Sequence, residues 1–592
     1  MTSILRMISI ALWLIALAVQ NRLLLEKRIS LVWSVPVTVF LLAFMAYAFL
    51  VRKHPEVPDS DEEGESPSGT KPWSTVVIWT LMAGLAAYFL WRQTILYWLV
   101  PINPYFADML PLIKNALRDF WRDGLYPYRF TPIGGWNLPL TYSPGHWLAF
   151  TPAHLFKFDL RFVSAATAAV LGLLEGAYAW RWRHYTKGAV WLFPLALIIA
   201  FFPWFFSPFK EFHEIWHMPP YWLVLAIWAL AVKMRWRISS GVLFGIGLCM
   251  RPPLVVVAPF WLIYLWHNRK NSRPFATLFA CFITGALIAG YFVLKDPKAF
   301  FYGVTRWYEE SSNYTIANNP LILKIIGFSG LLREIGLYHV KMKIASALLL
   351  PLMVWAWFRL RTPDDLLVFA SYAMTLFLMF SFIPWFYIYF PATHLLFFAL
   401  WPEEKPDPDK QKYMKRILVY SFCIGIAITI VCMGWFLYRK PLYDKGTRVS
   451  GFGQEWNLWR SGWGEIVPDK GRRFVLSETS TTAPTYSTLW RDVELTVFLN
   501  EPRDWTLGLY LNGEYHGKQS LQGQEGVVNL NYEIHRGNLF RGLNEVHLSI
   551  LDVETLKPPD PSSVDNVIYF QSLEFSKPLP DVFWGPDLEG LH

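Results

Sequence analysis

Four groups of residues in this sequence could do chemistry. Asp108 closes the stretch Tyr105-Phe106-Ala107-Asp108, directly after a long aromatic-rich apolar run. A carboxylate at the edge of such a run is costly unless solvated or paired, so a functional role is expected of it. The same position also suits the N-cap of a helix over Met109–Phe120, with Pro111 in its first turn. Arg251 stands between two short apolar segments, before Pro252-Pro253. A guanidinium there needs a carboxylate or a phosphate as partner. The third group is Glu211-Phe212-His213-Glu214-Ile215-Trp216-His217. On a helix, two histidines at this spacing with Glu214 between them would suit a zinc-bound water and its base, with His146, His154 or His394 as third ligand. Met218-Pro219-Pro220 follows at once and interrupts any such helix. The same side chains could instead contact an acceptor or supply a second carboxylate. The fourth group, Arg306 to Asn313 with Trp307, Tyr308, Glu309 and Glu310, mixes charge with aromatic faces. That mixture suits sugar recognition, and equally an ordinary solvated amphipathic helix.

The elements that must position these residues are apolar. Of 592 residues 54% are hydrophobic and only 17% charged, below the roughly 25% of soluble proteins. Many apolar runs approach the ~20 residues that cross a bilayer, and such runs can span lipid only as helices. The pattern predicts about 13 spans, near 4–20, 31–51, 73–100, 162–180, 188–206, 219–232, 239–250, 253–266, 274–294, 342–359, 365–380, 386–401 and 417–438. The first run lacks a small-residue cleavage site and is followed by a second, so it reads as a retained span. Arg52–Pro72, acidic and rich in Ser, Pro and Gly, reads as a disordered linker.

Four basic connectors set the orientation: Arg181 to Lys187, Lys233 to Arg237, Arg269 to Arg273, and Lys405 to Arg416. All fall on one side, which the positive-inside rule makes cytoplasmic; Arg22, Lys27 and Arg28 dissent. The net charge of +9 thus orients helices and implies no nucleic acid. The N-terminus is then cytoplasmic, and Pro101–Arg161, Ser207–Pro219, Lys295–Lys341 and the C-terminal region lie outside. Met109–Phe120 and Ser143–Phe156 suit helices lying in the interface. The segments 239–250 and 253–266 are too short to cross fully, so their junction at Arg251 is expected at membrane depth beside the outer cavity. All four cysteines fall in apolar segments, which predicts core thiols and no disulfide framework. Short loops and the lack of disulfides suggest a bacterial inner or plasma membrane.

From about Arg439 the apolar period becomes two. Asp492–Asn500, Thr506–Asn512, Val527–Tyr532, Asn544–Asp552 and Val567–Phe575 read as strands, with Asn512-Gly513 as a turn. The whole reads as a helical membrane protein with three parts. They are an N-terminal hairpin and linker (1–72), a membrane domain (73–438) and an extracytoplasmic β-sandwich (439–592).

The order of several motifs resembles the GT-C polytopic glycosyltransferases, within them the polyprenol-phosphate-mannose-dependent group. Asp108 follows an early span; Asp123-Gly124-Leu125-Tyr126-Pro127-Tyr128 ends an amphipathic segment; Tyr142-Ser143-Pro144-Gly145-His146-Trp147-Leu148 follows. A small-residue helix, Ser240 to Leu248, then runs into Arg251-Pro252. The likeness covers roughly residues 73–400. It implies a polyprenyl-phosphate sugar donor used on the outer face, a glycan or lipid acceptor, and Asp108 as catalytic base. It places Arg251 on the donor phosphate, with Tyr126, Tyr128, Tyr142, His146, Glu211, His213, Glu214, His217, Arg306 and Glu309 around the substrates. The chain departs from the family at Glu211–His217, where a polar Gly-Gln-type stretch is usual, and in having a single acid after the early span. Leu511-Asn512-Gly513-Glu514 and Gly542-Leu543-Asn544-Glu545-Val546 resemble turns of galactose-binding jelly rolls. Trp490, Trp505, Tyr510 and Tyr515 are then either sugar-stacking faces or core aromatics.

The mechanism has its own physical logic. The acceptor hydroxyl must lose its proton to a carboxylate, and the departing phosphate needs a cation, which Arg251 gives bidentately. A monophosphate leaving group served by arginine requires neither metal nor cofactor. Two other readings stay open: a zinc membrane protease, and a lipid or glycan transporter. The latter calls for repeats and mid-span ionisable residues, of which Glu175 is one.

Overall fold

The structure, a computed structural model, describes residues 2–25, 31–51, 72–99, 109–133, 136–181, 217–307, 310, 327–380, 386–400, 408–443, 448–450, 463–467, 471–474, 481–485, 492–511, 514–533, 544–552 and 568–575. Among these residues the chain is mostly helical as far as Tyr443 and stranded beyond it. Among the described residues four helical stretches are long and apolar enough to cross a membrane: Arg161–Arg181, Pro274–Lys295, Tyr338–Arg359 and Gln411–Trp435. Arg161–Arg181 is largely enclosed by other helices, whereas Pro274–Lys295 buries only 11% of its apolar window. Phe275, Leu287 and Leu294 stand outward on that helix. Apolar surface of this extent matches hydrocarbon, not water. The span near 188–206 lies outside the described residues.

The helices that carry the site pack through small residues. Helix Arg237–Met250 lies against Pro274–Lys295 along Gly241 and Gly245. A Cβ on Gly241 would run into the Thr277 carbonyl, and one on Gly245 would come within 2.6 Å of the Cys281 carbonyl oxygen. Without lipid-excluding force between helices, such backbone contact supplies the van der Waals attraction that holds them. Pro252 then begins a 3-10 turn, Pro252–Val257, and helix Ala258–His267 returns. The two short apolar segments are therefore joined at Arg251, as the sequence suggests.

Two pairs of ionisable groups meet inside the bundle. Glu175 Oε1 lies 2.7 Å from His394 Nδ1. Lys233 Nζ lies 2.6 Å from Asp364 Oδ1 and donates to the Phe398 carbonyl at 3.0 Å. Lys233, counted by sequence among the basic connectors, thus lies inside the bundle. It is a buried ion pair, because the chain brings the start of helix Pro363–Met379 beside the end of helix Pro219–Lys233. Removing one partner leaves a buried charge. Asp364→Asn should therefore destabilise the folded protein by roughly 3–5 kcal/mol, while Lys233→Met with Asp364→Leu costs much less. Thermal unfolding of the two purified variants in one detergent tests this; equal losses would show that packing and not charge holds the site. The N-terminal helix Thr2–Leu25 also joins the bundle, with Trp13 edge-on to Tyr389 at 6.0 Å and Arg6 Nε donating to the Ala48 carbonyl.

Strands β1 (Phe130–Ile133) and β2 (Trp136–Pro139) form a hairpin before the site. The C-terminal strands are β3 (Arg448–Ser450), β4 (Trp463–Val467), β5 (Gly471–Phe474), β6 (Thr481–Thr485), β7 (Asp492–Leu499) and β8 (Trp505–Leu511). They continue as β9 (Glu514–Ser520), β10 (Gly526–Glu533), β11 (Asn544–Asp552) and β12 (Ile568–Phe575). One sheet runs β10-β7-β12-β5-β4, with β3 also on β12, and a second runs β6-β11-β8-β9. All pairings are antiparallel. Alternate residues Leu495, Val497 and Leu499 of the first sheet and Leu507 and Leu509 of the second are fully buried. Tyr532 OH donates to the Leu507 carbonyl across the two sheets. Five strands lie where period-two alternation places them. Strands β3, β4, β5 and β6 and the polar β9 were not expected.

Candidate active site

Arg251 ends helix Arg237–Met250 in extended backbone (φ −141, ψ 110), the region favoured for a residue preceding proline. Its Nη2 lies 2.5 Å from His217 Nε2 and 2.9 Å from Met218 Sδ. A guanidinium only donates, so His217 Nε2 is the acceptor and any ring proton sits on Nδ1. The guanidinium carbon lies 5.1 Å from the centre of the Tyr142 ring, a cation–π contact. Tyr142 stacks on His146 at 5.0 Å and 20°, and His146 meets His217 edge-on at 5.4 Å. Arg251, His217, Met218, Tyr142 and His146, from three stretches of chain, thus close one cluster.

The cluster keeps unused donors. His146 is fully buried, and neither ring nitrogen has a hydrogen-bond partner among the described residues. Burial first, then the neighbouring Arg251 and His217, holds its pKa well below the usual imidazole value, so it stands neutral with one N–H. Arg251 Nε also has no partner among the described residues. Leaving buried polar nitrogens unpaired costs about 1–3 kcal/mol each. An anionic oxygen between the imidazole and the guanidinium would recover that loss with charge-assisted bonds.

Other predicted residues brace the cluster. Tyr128 OH donates to the Tyr142 carbonyl at 2.8 Å and is buried. Tyr126 OH sits on the Phe292 and Asp296 carbonyls at 2.7 and 3.0 Å, at the end of helix Pro274–Lys295. Burial, with Asp296 nearby, pushes that phenol up to about 12. Short helix Pro144–Leu148 is seated on the turn that carries Arg251, since a Cβ on Gly145 would lie 3.0 Å from the Cys249 carbonyl. Arg306 is exposed, in a single wide turn Tyr302–Arg306, and makes none of the cluster's contacts. That turn backs onto the Leu140 carbonyl through Gly303. Asp108, Glu211, His213, Glu214 and Glu309 lie outside the described residues.

The structure does not favour the zinc reading. His217 lies in a turn directly before helix Pro219–Lys233, and its Nε2 faces a guanidinium, a cation that repels a second cation. Met218, whose sulfur touches Arg251, was not anticipated; nothing in its sequence context marks it. The Glu175–His394 pair was half-visible, since Glu175 stood out mid-span, but its partner is 219 positions away.

Residues 140–384 match the family model of glycosyltransferase family 87. The matched segment contains Tyr142, His146, His217 and Arg251 and begins after Asp108. No curated protein matches the chain. The match supports a membrane glycosyltransferase of GT-C-like architecture, and with it a sugar donor and an acceptor.

Proposed function

We propose that the chain transfers a sugar, mannose being the first candidate, from a polyprenyl-phosphate donor to a glycan or lipid on the outer face of the membrane, with inversion. The observation that supports this most is the Arg251 cluster, which lies inside the glycosyltransferase-matched segment and holds unused N–H donors on Arg251 and His146. Arg251 binds the donor phosphate, and neutral His146 adds a second donor to it. Asp108 takes the acceptor hydroxyl proton as that oxygen attacks the anomeric carbon. The bond from this carbon to the phosphate oxygen breaks, and polyprenyl phosphate leaves on Arg251. Tyr142 and His217 hold the guanidinium, Tyr128 holds Tyr142, and Tyr126 packs on Tyr128. Glu211, His213, Glu214, Arg306 and Glu309 are assigned to the acceptor side. The C-terminal strands form a β-sandwich on the same outer side.

Membranes containing the protein should move radiolabelled sugar from a polyprenyl-phosphate donor, with or without EDTA. Transfer from nucleotide sugars alone would overturn the donor assignment, and loss on EDTA would overturn the metal-independent step.

A further inference from the structure

A second cationic site lies at the other end of the same helix. Arg237 opens the helix that Arg251 follows, and its 14 residues separate the two by about 21 Å of rise. There a shallow open cleft is lined by Arg235, Arg237, Ser240, Asn268 and Thr277 over an apolar floor that includes Leu265. Arg235 adopts left-handed backbone (φ 54), unfavourable for a residue with a Cβ. This conformation lies in the three-residue link, Met234 to Trp236, that lets Arg235 and Arg237 line one cleft. The neighbouring turn adds Arg269, Lys270 and Arg273, all exposed. No Asp or Glu occurs anywhere from Ile215 to Lys295, so the charge carried by this segment is entirely basic.

We propose that this cleft binds the phosphate headgroup of an anionic membrane lipid. The arginines supply forked donors for phosphate oxygens. A free phosphate would meet the same chemistry, but the surroundings favour a lipid. Ile238, Trp266 and Phe275, close in sequence to the lining residues, are 57%, 57% and 87% exposed, as residues laid along acyl chains would be. Arg269 sits 5.2 Å over the Trp266 ring, an aromatic–cation pair of the kind that marks a membrane interface. Basic pockets between helices are where anionic headgroups are held. The inference is independent of sugar transfer and needs only that the bundle sits in a bilayer.

The test uses full-length protein extracted from vesicles of equal phosphatidylglycerol and phosphatidylcholine, with retained lipid measured by native mass spectrometry. Wild type should retain phosphatidylglycerol in preference, and millimolar inorganic phosphate should not displace it. Each arginine is expected to carry about a fivefold effect, so Arg237→Gln should weaken retention about fivefold and Arg235→Gln/Arg237→Gln about 25-fold. Arg122→Gln, an exposed cation at the opposite end, should retain lipid as wild type does. If the double variant does not fold, the single variant decides. Equal retention of the two lipids, full displacement by inorganic phosphate, or unchanged retention in Arg237→Gln would overturn the proposal.

Discussion

Arg251→Gln is expected to lower sugar transfer by about 10²–10³-fold in turnover, the scale seen when one preorganised donor to a developing negative charge is removed. Glutamine keeps length and an N–H but loses the charge and the fork. The loss should fall on turnover more than on donor affinity, because charge on the phosphate oxygen grows as the anomeric bond breaks. Arg251→Lys should recover part of the activity, since a point charge remains but cannot hold His217 and a phosphate oxygen together. The measurement is initial rate against donor concentration in detergent, with thermal unfolding of each variant alongside. Arg251 is half-buried and its Nε has no partner among the described residues, so a fold role alone predicts lost stability with unchanged turnover. That outcome would remove Arg251 from the chemistry.

Asp108→Asn should reduce transfer further, by about 10²–10⁴-fold, the range for loss of a general base. The choice of asparagine separates two roles. Helix Met109–Trp121 starts at the next residue, so Asp108 could serve only as an N-cap. Asparagine and serine cap about as well as aspartate, so a capping role predicts near-normal stability and near-normal transfer in Asp108→Asn. A base predicts normal stability with transfer lost. Asp108→Glu should retain some activity if the carboxylate reaches the acceptor through a water. Normal transfer by Asp108→Asn would pass the role of base to another carboxylate, with Glu214 the first to test.

Much of the architecture is legible in residue order alone. Helix Met109–Trp121, the junction at Arg251 and five of the C-terminal strands fall within a few residues of their expected places. Each is announced by a local signal: an apolar period, a proline pair, or two-residue alternation. Strand β9 escaped because its residues, Glu514 to Ser520, are polar on both faces and are held by pairing with β8.

The site divides along the same line. The residue types and their place outside the apolar runs mark Arg251, His146 and His217 as candidates, and no folding is needed to see that. Sequence could not show that His217 accepts from Arg251, that Tyr142 touches both the cation and the His146 imidazole, or that Tyr128 bonds to the Tyr142 carbonyl with Tyr126 packed on it. Nor could it show that Lys233, counted in a basic connector, answers Asp364 inside the bundle. Periodicity states which face of a helix is apolar, because a helix repeats its own geometry. It does not state the depth or rotation at which one helix meets another, which depends on where glycines such as Gly145, Gly241 and Gly245 let backbones touch. Those contacts join residues far apart in the chain, so they exist only once the helices are packed.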